Sequence, residues 1–511
     1  MTDKSRVLII GIDGLDPYLI KKWQNELPTL SELIKNGTSG ILKSSIPPLS
    51  CPAWVYFSTG KQSGKLGFTD FFIVDRKNNR VIPVNSHTIP SKFFWEILDE
   101  YGIKCCIVNM PLTYPPRKLR NGVLVSGFPT PINYRESSSD NVFTYPPELS
   151  EDLNSLFPNE GYEIDISDFV GFSLWSEEEI FRKLINLLRK RTKVFNYILD
   201  KYEWDLGIVV YTEIDRASHF FYGTPKLKEI YKAQDKELRE LITKYKDSTD
   251  YIIIVSDHGF MKLDGEVYIN DFLVAEGYLK YSIHSKRNVL LNISKYVPDK
   301  IILFLIKLLP RNIQAKLPRE KAPTILDTKI ERGTKIYHIG DLYFQFYLDN
   351  TGTNELNIFL NKLLELKDDK GRPIIDRIYF KDGIFKGDKI DNLPDIIARP
   401  RVGIRASSKI HQKSIIGKNT RWRGDHFEDG VHIWYGRYIK SGRTINANII
   451  DIAPTVLFIF DLPIPNDMDG KVLKEVFKED CPFAKKEIRY EDSLKVRTKA
   501  VIRKLKLGEK T

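Results

Sequence analysis

Cysteine is rare in this chain: four residues among 511, at positions 51, 105, 106 and 481. That number and spacing exclude a disulfide framework and a zinc ribbon. Cys105 and Cys106 are adjacent in an apolar run and read as buried strand residues. The chain also lacks an uninterrupted apolar stretch of the roughly 20 residues that a membrane-spanning helix needs. It opens on MTDKSRVLIIGID, a short charged lead into a strand rather than a signal peptide. A cytoplasmic protein is therefore the expectation. No nucleic-acid recognition module accompanies the net charge of +11, which reads as a solvated face rich in Lys and Glu. No specific nucleic-acid partner is expected. Internal repeats and low-complexity tracts are absent, and nothing in the sequence sets an oligomeric state.

What the chain does have is core material. Hydrophobic residues make up 42% of it, ample for a large domain. Runs rich in Val and Ile at 6–12, 105–109, 122–126, 206–212 and 251–256 read as strands. Helical patterns fall between several of them, most clearly over 177–201, where Ile180, Leu184, Leu187, Leu188, Phe195, Ile198 and Leu199 recur on shared faces. Near-continuous apolar strands alternating with amphipathic helices predict an α/β fold, with a mostly parallel central sheet covered by helices on both faces. From about 270 to 400 the pattern loosens, and 341–365 reads as a strand followed by a helix. The expected organisation is a catalytic core from 1–270 and 400–475, an inserted cap over 271–399, and a basic, charged tail over 476–511.

Polar clusters stand where strands of such a sheet end. Asp13 follows RVLIIGI between two glycines; alone it is an ordinary turn aspartate, yet glycines also allow close approach to a ligand. Ser50 precedes Cys51, Pro52 and a helical run stopped by Gly60, so it suits a helix N-cap and equally a hydroxyl favoured as an anion by the helix dipole. Asp215 and His219 are four apart, which puts them on one helical face where they can chelate one ion or form a simple surface pair. Asp257 and His258 follow YIIIVS, and an acid beside an imidazole at a buried strand end needs a partner. His426 lies in RGDHFEDG, a polar stretch that reads as a loop; His87, His284, His338, His411 and His432 lack such context. Three aspartates, three histidines and a serine suit two divalent cations flanking an activated hydroxyl, the apparatus of phosphoryl or sulfuryl transfer.

In this order, these residues resemble the alkaline phosphatase superfamily, and within it the type I phosphodiesterase/nucleotide pyrophosphatase branch. The nucleophile motif is matched by Ser50-Cys51-Pro52 with Thr59-Gly60 following. The D-x-x-x-H motif is matched by Asp215 to His219, S-D-H-G by Ser256 to Gly259, and the late G-x-H by Gly424-Asp425-His426. DIAPTVLFIFDLPIPNDMDG is similar to the closing segment of that family. The resemblance covers about 1–270 and 400–475. It implies one ion on Asp215, His219 and His426, and another on Asp13, Asp257 and His258 with the Ser50 oxygen. It implies zinc, with manganese as the alternative, and in-line attack by Ser50 to give a phosphoryl-serine that water then cleaves. The backbone amide of Cys51 is a candidate donor to the phosphoryl oxygens.

The chain departs from that pattern in the loop GKLGFTDFF. Asp70 stands where the branch has an Asn that grips a phosphoryl oxygen, and Leu66 replaces a histidine before glycine. A carboxylate at that place repels phosphate, so Asp70 is expected behind the phosphate-binding groups, and nucleotides are not assured as substrates. Trp54 replaces the arginine that sulfatases require, and the N-S-E-V-G-H motif of cofactor-independent phosphoglycerate mutases is absent. The expected activity is hydrolysis of small phosphate esters, of the phosphodiesterase type. The alternatives are a phosphomonoesterase or phosphomutase of the same superfamily, or a peripheral membrane or polyanion-binding protein that retains the fold. Segment 297–311 (VPDKIILFLIKLLPR), apolar between basic flanks, motivates the membrane reading.

Overall fold

The Val- and Ile-rich runs come together as the centre of one sheet. In the computed structural model, residues 5–492 are described apart from 79, 131–141, 159, 167–174, 284–324, 411–414 and 418–421. Strand Val7–Ile12 lies parallel between Leu206–Tyr211 and Tyr251–Val255. Cys105–Met110 and Val123–Ser126 continue the parallel order beyond Leu206–Tyr211. Antiparallel strands extend both sides: Asp429–Gly436 and Thr38–Lys43 on one, Thr144–Tyr145 on the other. Among the described residues the sheet has ten strands.

Alternation along Val7–Ile12 explains why both faces are apolar. Val7 and Ile9 enter a layer with Trp54, Phe57, Phe94 and Leu457, whereas Leu8, Ile10 and Ile12 enter the opposite layer with Leu188, Phe195, Ile214 and Leu238. The mostly parallel sheet covered by helices agrees with the expected α/β class. The helix expected over 177–201 is Glu177–Lys201. Its start is set by a capping box, in which Ser176 Oγ accepts from the Glu179 amide and the Glu179 carboxylate accepts from the Ser176 amide.

A third hydrophobic cluster joins Val267, Phe272, Phe344, Phe346, Phe359 and Ile396. It packs around a smaller antiparallel sheet ordered Ile336–His338, Phe344–Leu348, Ile396–Pro400 and Ile375–Phe380. The strand and helix expected within 341–365 are Phe344–Leu348 and Thr353–Glu365. Segment 297–311, His284, His411 and the last nineteen positions of the tail, 493–511, lie outside the described residues. Nearer the core, Tyr490–Glu491 pairs with Ile464–Pro465. All four cysteines are free and buried. Among the described residues no helix is long and apolar enough to cross a membrane.

One contact ties the central strand to the Ser50 helix. A Cβ at Gly11 would sit 2.7 Å from the Trp54 ring and 2.9 Å from Val210 Cγ2. Glycine is therefore what lets the Trp54 indole lie against the sheet with its Nε1 donating to Asp13 Oδ2 at 3.0 Å. Gly11→Ala is expected to destabilise the chain by about 1–3 kcal/mol through overpacking, seen as a lower midpoint in urea unfolding. An unchanged midpoint would show that Trp54 moves aside freely.

Candidate active site

Open α/β sheets bind ligands beyond the carboxyl ends of their strands, and three parallel strands here end at the acids and imidazoles that the sequence singles out. Asp13 follows Val7–Ile12, and its amide donates to the Tyr211 carbonyl of the neighbouring strand at 2.8 Å. After Leu206–Tyr211 a single residue, Thr212, leads into helix Glu213–Phe221, which carries Asp215 and His219 one turn apart. Tyr251–Val255 ends just before Ser256, Asp257 and His258. The Gly14 amide donates to Asp257 Oδ1 at 3.2 Å, which joins two of these strand ends directly.

Ser50 opens helix Ser50–Thr59, which ends at Gly60 in the left-handed conformation at φ 66. It does not serve as the cap: the capping position is Leu49, in extended conformation, and no side chain caps the helix. The Ser50 hydroxyl instead lies 3.1 Å from His258 Nε2 and donates to Asp13 Oδ1 at 3.4 Å. Cys51 follows in the first turn, where an amide N–H has no intrahelical acceptor. Its thiol is buried, and burial pushes it well above the usual thiol range.

His426 corrects the loop expectation. It sits in strand Gly424–Phe427, antiparallel to Gly259–Lys262 and opposite Phe260. This pairing stacks the His426 ring on His258 with centroids 3.7 Å apart. Each of the three site imidazoles has Nδ1 against a backbone carbonyl: His219 on Gly424, His258 on Gly259 and His426 on Pro48, at 3.0–3.1 Å. A carbonyl only accepts, so Nδ1 donates in all three. In the neutral ring each Nε2 then carries a lone pair aimed into the site. These atoms converge on Asp215 Oδ1, at 3.2 Å from His426, 3.6 Å from His219 and 3.9 Å from His258.

That convergence makes two groups. The ligand-type atoms of Asp215, His219 and His426 all lie within 4.8 Å of one another, and so do those of Asp13, Asp257 and His258. All six residues are buried. Among the described residues Asp257 Oδ2 accepts no hydrogen bond, and the group against Asp215 Oδ1 is the His426 imidazole. His219 Nε2 and His426 Nε2 face each other at 3.1 Å, a contact that needs a proton or a metal cation between the two nitrogens. The donor set fits divalent cations on these grounds: oriented imidazoles, a buried Asp257 oxygen without a hydrogen bond, and backbone carbonyls fixing the ring orientation.

Electrostatics show what the residues do by themselves. Burial, reinforced by the Asp215 charge, pushes Asp13 up to about 7. Burial likewise drives Asp257 well above the carboxylate range, with Asp13 and Asp215 adding to it. Burial raises Asp215 too, but the His219 and Arg216 charges outweigh it and hold this carboxyl well below its ordinary value. His219 is lowered to about 4 and His258 well below its usual value, both chiefly by burial. Burial also lowers His426, yet the adjoining Asp215 carboxylate raises it overall.

Asp70 is buried, and its charge, after burial, adds to the raised position of the Cys51 thiol. Asp70 Oδ1 accepts from the Phe71 amide at 2.7 Å and its Oδ2 from Gln345 Nε2 at 3.1 Å, on the Phe344–Leu348 strand. Burial pushes it up to about 7. His432, the nearest competitor by sequence, uses both ring nitrogens structurally, on the Ile445 carbonyl and the Trp434 indole. His338 has its Nδ1 on Gln345, and His87 is exposed. Sequence reading missed the Trp54 indole on Asp13 and the Arg216 guanidinium on Asp215. A tryptophan four residues after Ser50 and an arginine next to Asp215 were the available signals.

The family model described as type I phosphodiesterase/nucleotide pyrophosphatase matches residues 7–426. No curated protein matches the chain. Among solved structures, murine ectonucleotide pyrophosphatase/phosphodiesterase 5 superposes with a TM-score of 0.54 at 13% identity, covering 93% of this chain and 100% of that one. An inactive variant of the murine protein in complex with AMP gives 0.52 at 13%, covering 90% and 96%. The human counterpart gives 0.50 at 12%, covering 90% and 95%. At these identities the likeness speaks for the fold.

The Asp13 shift has a definite sign. A carboxyl raised from 3.8 to about 7 on folding binds extra protons in the folded state across that window, so stability falls as pH rises through it. In metal-free protein, Asp13→Asn is therefore expected to melt above wild type at pH 8, with the gain shrinking toward pH 4. Thermal unfolding across pH checks this; a gain independent of pH would contradict it.

Proposed function

The chain belongs to the type I phosphodiesterase/nucleotide pyrophosphatase family, hydrolases acting on phosphoric ester bonds, and from that premise we propose that it is a two-metal phosphodiesterase with Ser50 as nucleophile. One observation carries the reading: the Ser50 hydroxyl leaves its helix cap unmade and lies between Asp13 and His258, at the edge of two buried acid–imidazole groups. Asp215, His219 and His426 would hold one ion; Asp13, Asp257 and His258, with the Ser50 oxygen, would hold the other. Mixed nitrogen and oxygen donors favour zinc, with manganese as a substitute. Bound there, the ions would lower the serine pKa and offset charge on the phosphoryl and leaving oxygens.

The protein's own groups do the rest. Ser50 Oγ gives its proton to solvent and forms a bond to phosphorus while the bond to the leaving oxygen breaks; the departing alkoxide takes a proton from water, and phosphoryl-Ser50 remains. Water then cleaves that ester and regenerates the hydroxyl. Ser50 stands at the first turn of its helix, so the dipole and the Cys51 amide favour negative charge on the phosphoryl oxygens. Residues 271–399 would act as the cap that selects among phosphate esters. The AMP bound by the inactive murine protein supports a nucleoside monophosphate as one candidate product. Asp70 in place of Asn counts against transferring a nucleotide specificity directly. The cytoplasmic assignment belongs to this proposal and rests on sequence alone.

The test is hydrolysis of bis-p-nitrophenyl phosphate beside p-nitrophenyl phosphate by zinc-reconstituted protein. Preference for the diester is expected; preference for the monoester would move the assignment to a phosphatase or phosphomutase. Ser50→Ala is expected to keep fold and metal content while turnover falls by about three orders of magnitude or more. Near-wild-type turnover in the metal-loaded variant would overturn the nucleophile assignment.

A further inference from the structure

Of the three site aspartates, two are held by neutral donors: Asp13 by the Trp54 indole and Asp257 by the Gly14 amide. Asp215 differs. Arg216 Nη1 donates to Asp215 Oδ2 at 2.5 Å, and Nη2 donates to Asp165 Oδ2 at 2.7 Å. The guanidinium is buried and lies over the Phe128 ring, 4.6 Å from its centroid. Asp165 is itself anchored: its Oδ1 accepts from the Ile166 amide at 2.8 Å and from Thr212 Oγ1 at 3.1 Å. Thr212 Oγ1 accepts from Arg191 Nη2 at 3.1 Å, and Arg191 Nε donates to Glu213 Oε1 at 3.0 Å. Asp165 thus accepts from Thr212 on one side and from Arg216 on the other, and Arg216 bridges it to Asp215. The Arg216 fork occupies Asp215 Oδ2 and leaves Oδ1 facing the imidazoles of His219, His258 and His426.

We propose that Arg216 is a positioning residue that makes Asp215 a one-oxygen ligand, and so biases the Asp215, His219 and His426 group toward zinc over manganese. The inference rests on the two-metal reading above. Zinc accepts four ligands, whereas manganese takes more oxygens and gains from a carboxylate that offers both. A guanidinium fork spanning Asp165 and Asp215 fixes the plane of the carboxylate; a lysine in its place would keep the charge and lose the fork. Arg216 thus acts through Asp215 and not on the substrate.

The experiment titrates metal-free full-length chain with zinc, and separately with manganese, against a competing chelator, and counts bound metal by mass spectrometry. Wild type is expected to bind two zinc ions. In Arg216→Gln one zinc affinity should weaken by about 10- to 100-fold, the other should hold, and the zinc-to-manganese preference should fall. Arg216→Lys should recover part of that preference. A folded Arg216→Gln with both zinc affinities unchanged, or with zinc and manganese weakened alike, would overturn the proposal. Should Arg216→Gln fail to fold, Asp165→Asn keeps Arg216 and Asp215 while loosening the fork. It is expected to shift the preference in the same direction by less, and no shift would overturn the proposal. A wild-type chain that binds no zinc would instead remove the two-metal reading, and this inference with it.

Discussion

Three carboxylates and three imidazoles share one buried space, and each must be compensated there. An unpaired buried charge costs several kcal/mol, so the neighbourhood is organised around compensation. Asp215 is paired with Arg216 and stays ionised. Among the described residues no Lys or Arg forms an ion pair with Asp13 or Asp257, and burial drives both toward the protonated form. His219 and His258 are driven toward the neutral form. Protons therefore stand where divalent cations would be better partners. The same constraint accounts for the backbone carbonyls behind all three rings, which turn every Nε2 inward.

The fold meets that constraint with few elements. Adjacent parallel strands place Asp13, Asp215 and Asp257 at one edge of the sheet. The short antiparallel pair Gly259–Lys262 with Gly424–Phe427 brings His426 beside His258. Trp54 links the Ser50 helix to Asp13, and Gly11 makes room for its ring. Ser50 reaches the site because its helix starts one residue after an extended Leu49. Strand ends, one helix start and one short antiparallel pair together place all of these side chains.

Much of this was legible because the signals were local. Strand runs such as 251–256 are apolar on both faces, and the structure places Tyr251–Val255 in the sheet centre. Helix 177–201 showed its apolar face through Ile180, Leu184, Leu187 and Leu188, all of which the structure buries in Glu177–Lys201. Spacing alone put Asp215 and His219 on one face of a helix, as Glu213–Phe221 does. Signals that depend on distant partners were not legible. RGDHFEDG is too polar to read as a strand, and only its pairing with Gly259–Lys262 makes it one. Ser50 looked like a cap because local rules favour serine before such a helix; tertiary contacts with Asp13 and His258 claim its hydroxyl instead. The Arg216–Asp165 bridge joins residues with no shared periodicity, so no pattern announces it.

Anomalous diffraction from crystals of the zinc-loaded chain, recorded on both sides of the zinc edge, tests the central claim most directly. Two zinc peaks are expected, one among Asp215, His219 and His426 and one among Asp13, Asp257, His258 and the Ser50 oxygen. A single peak, or none within reach of Ser50, would contradict the claim.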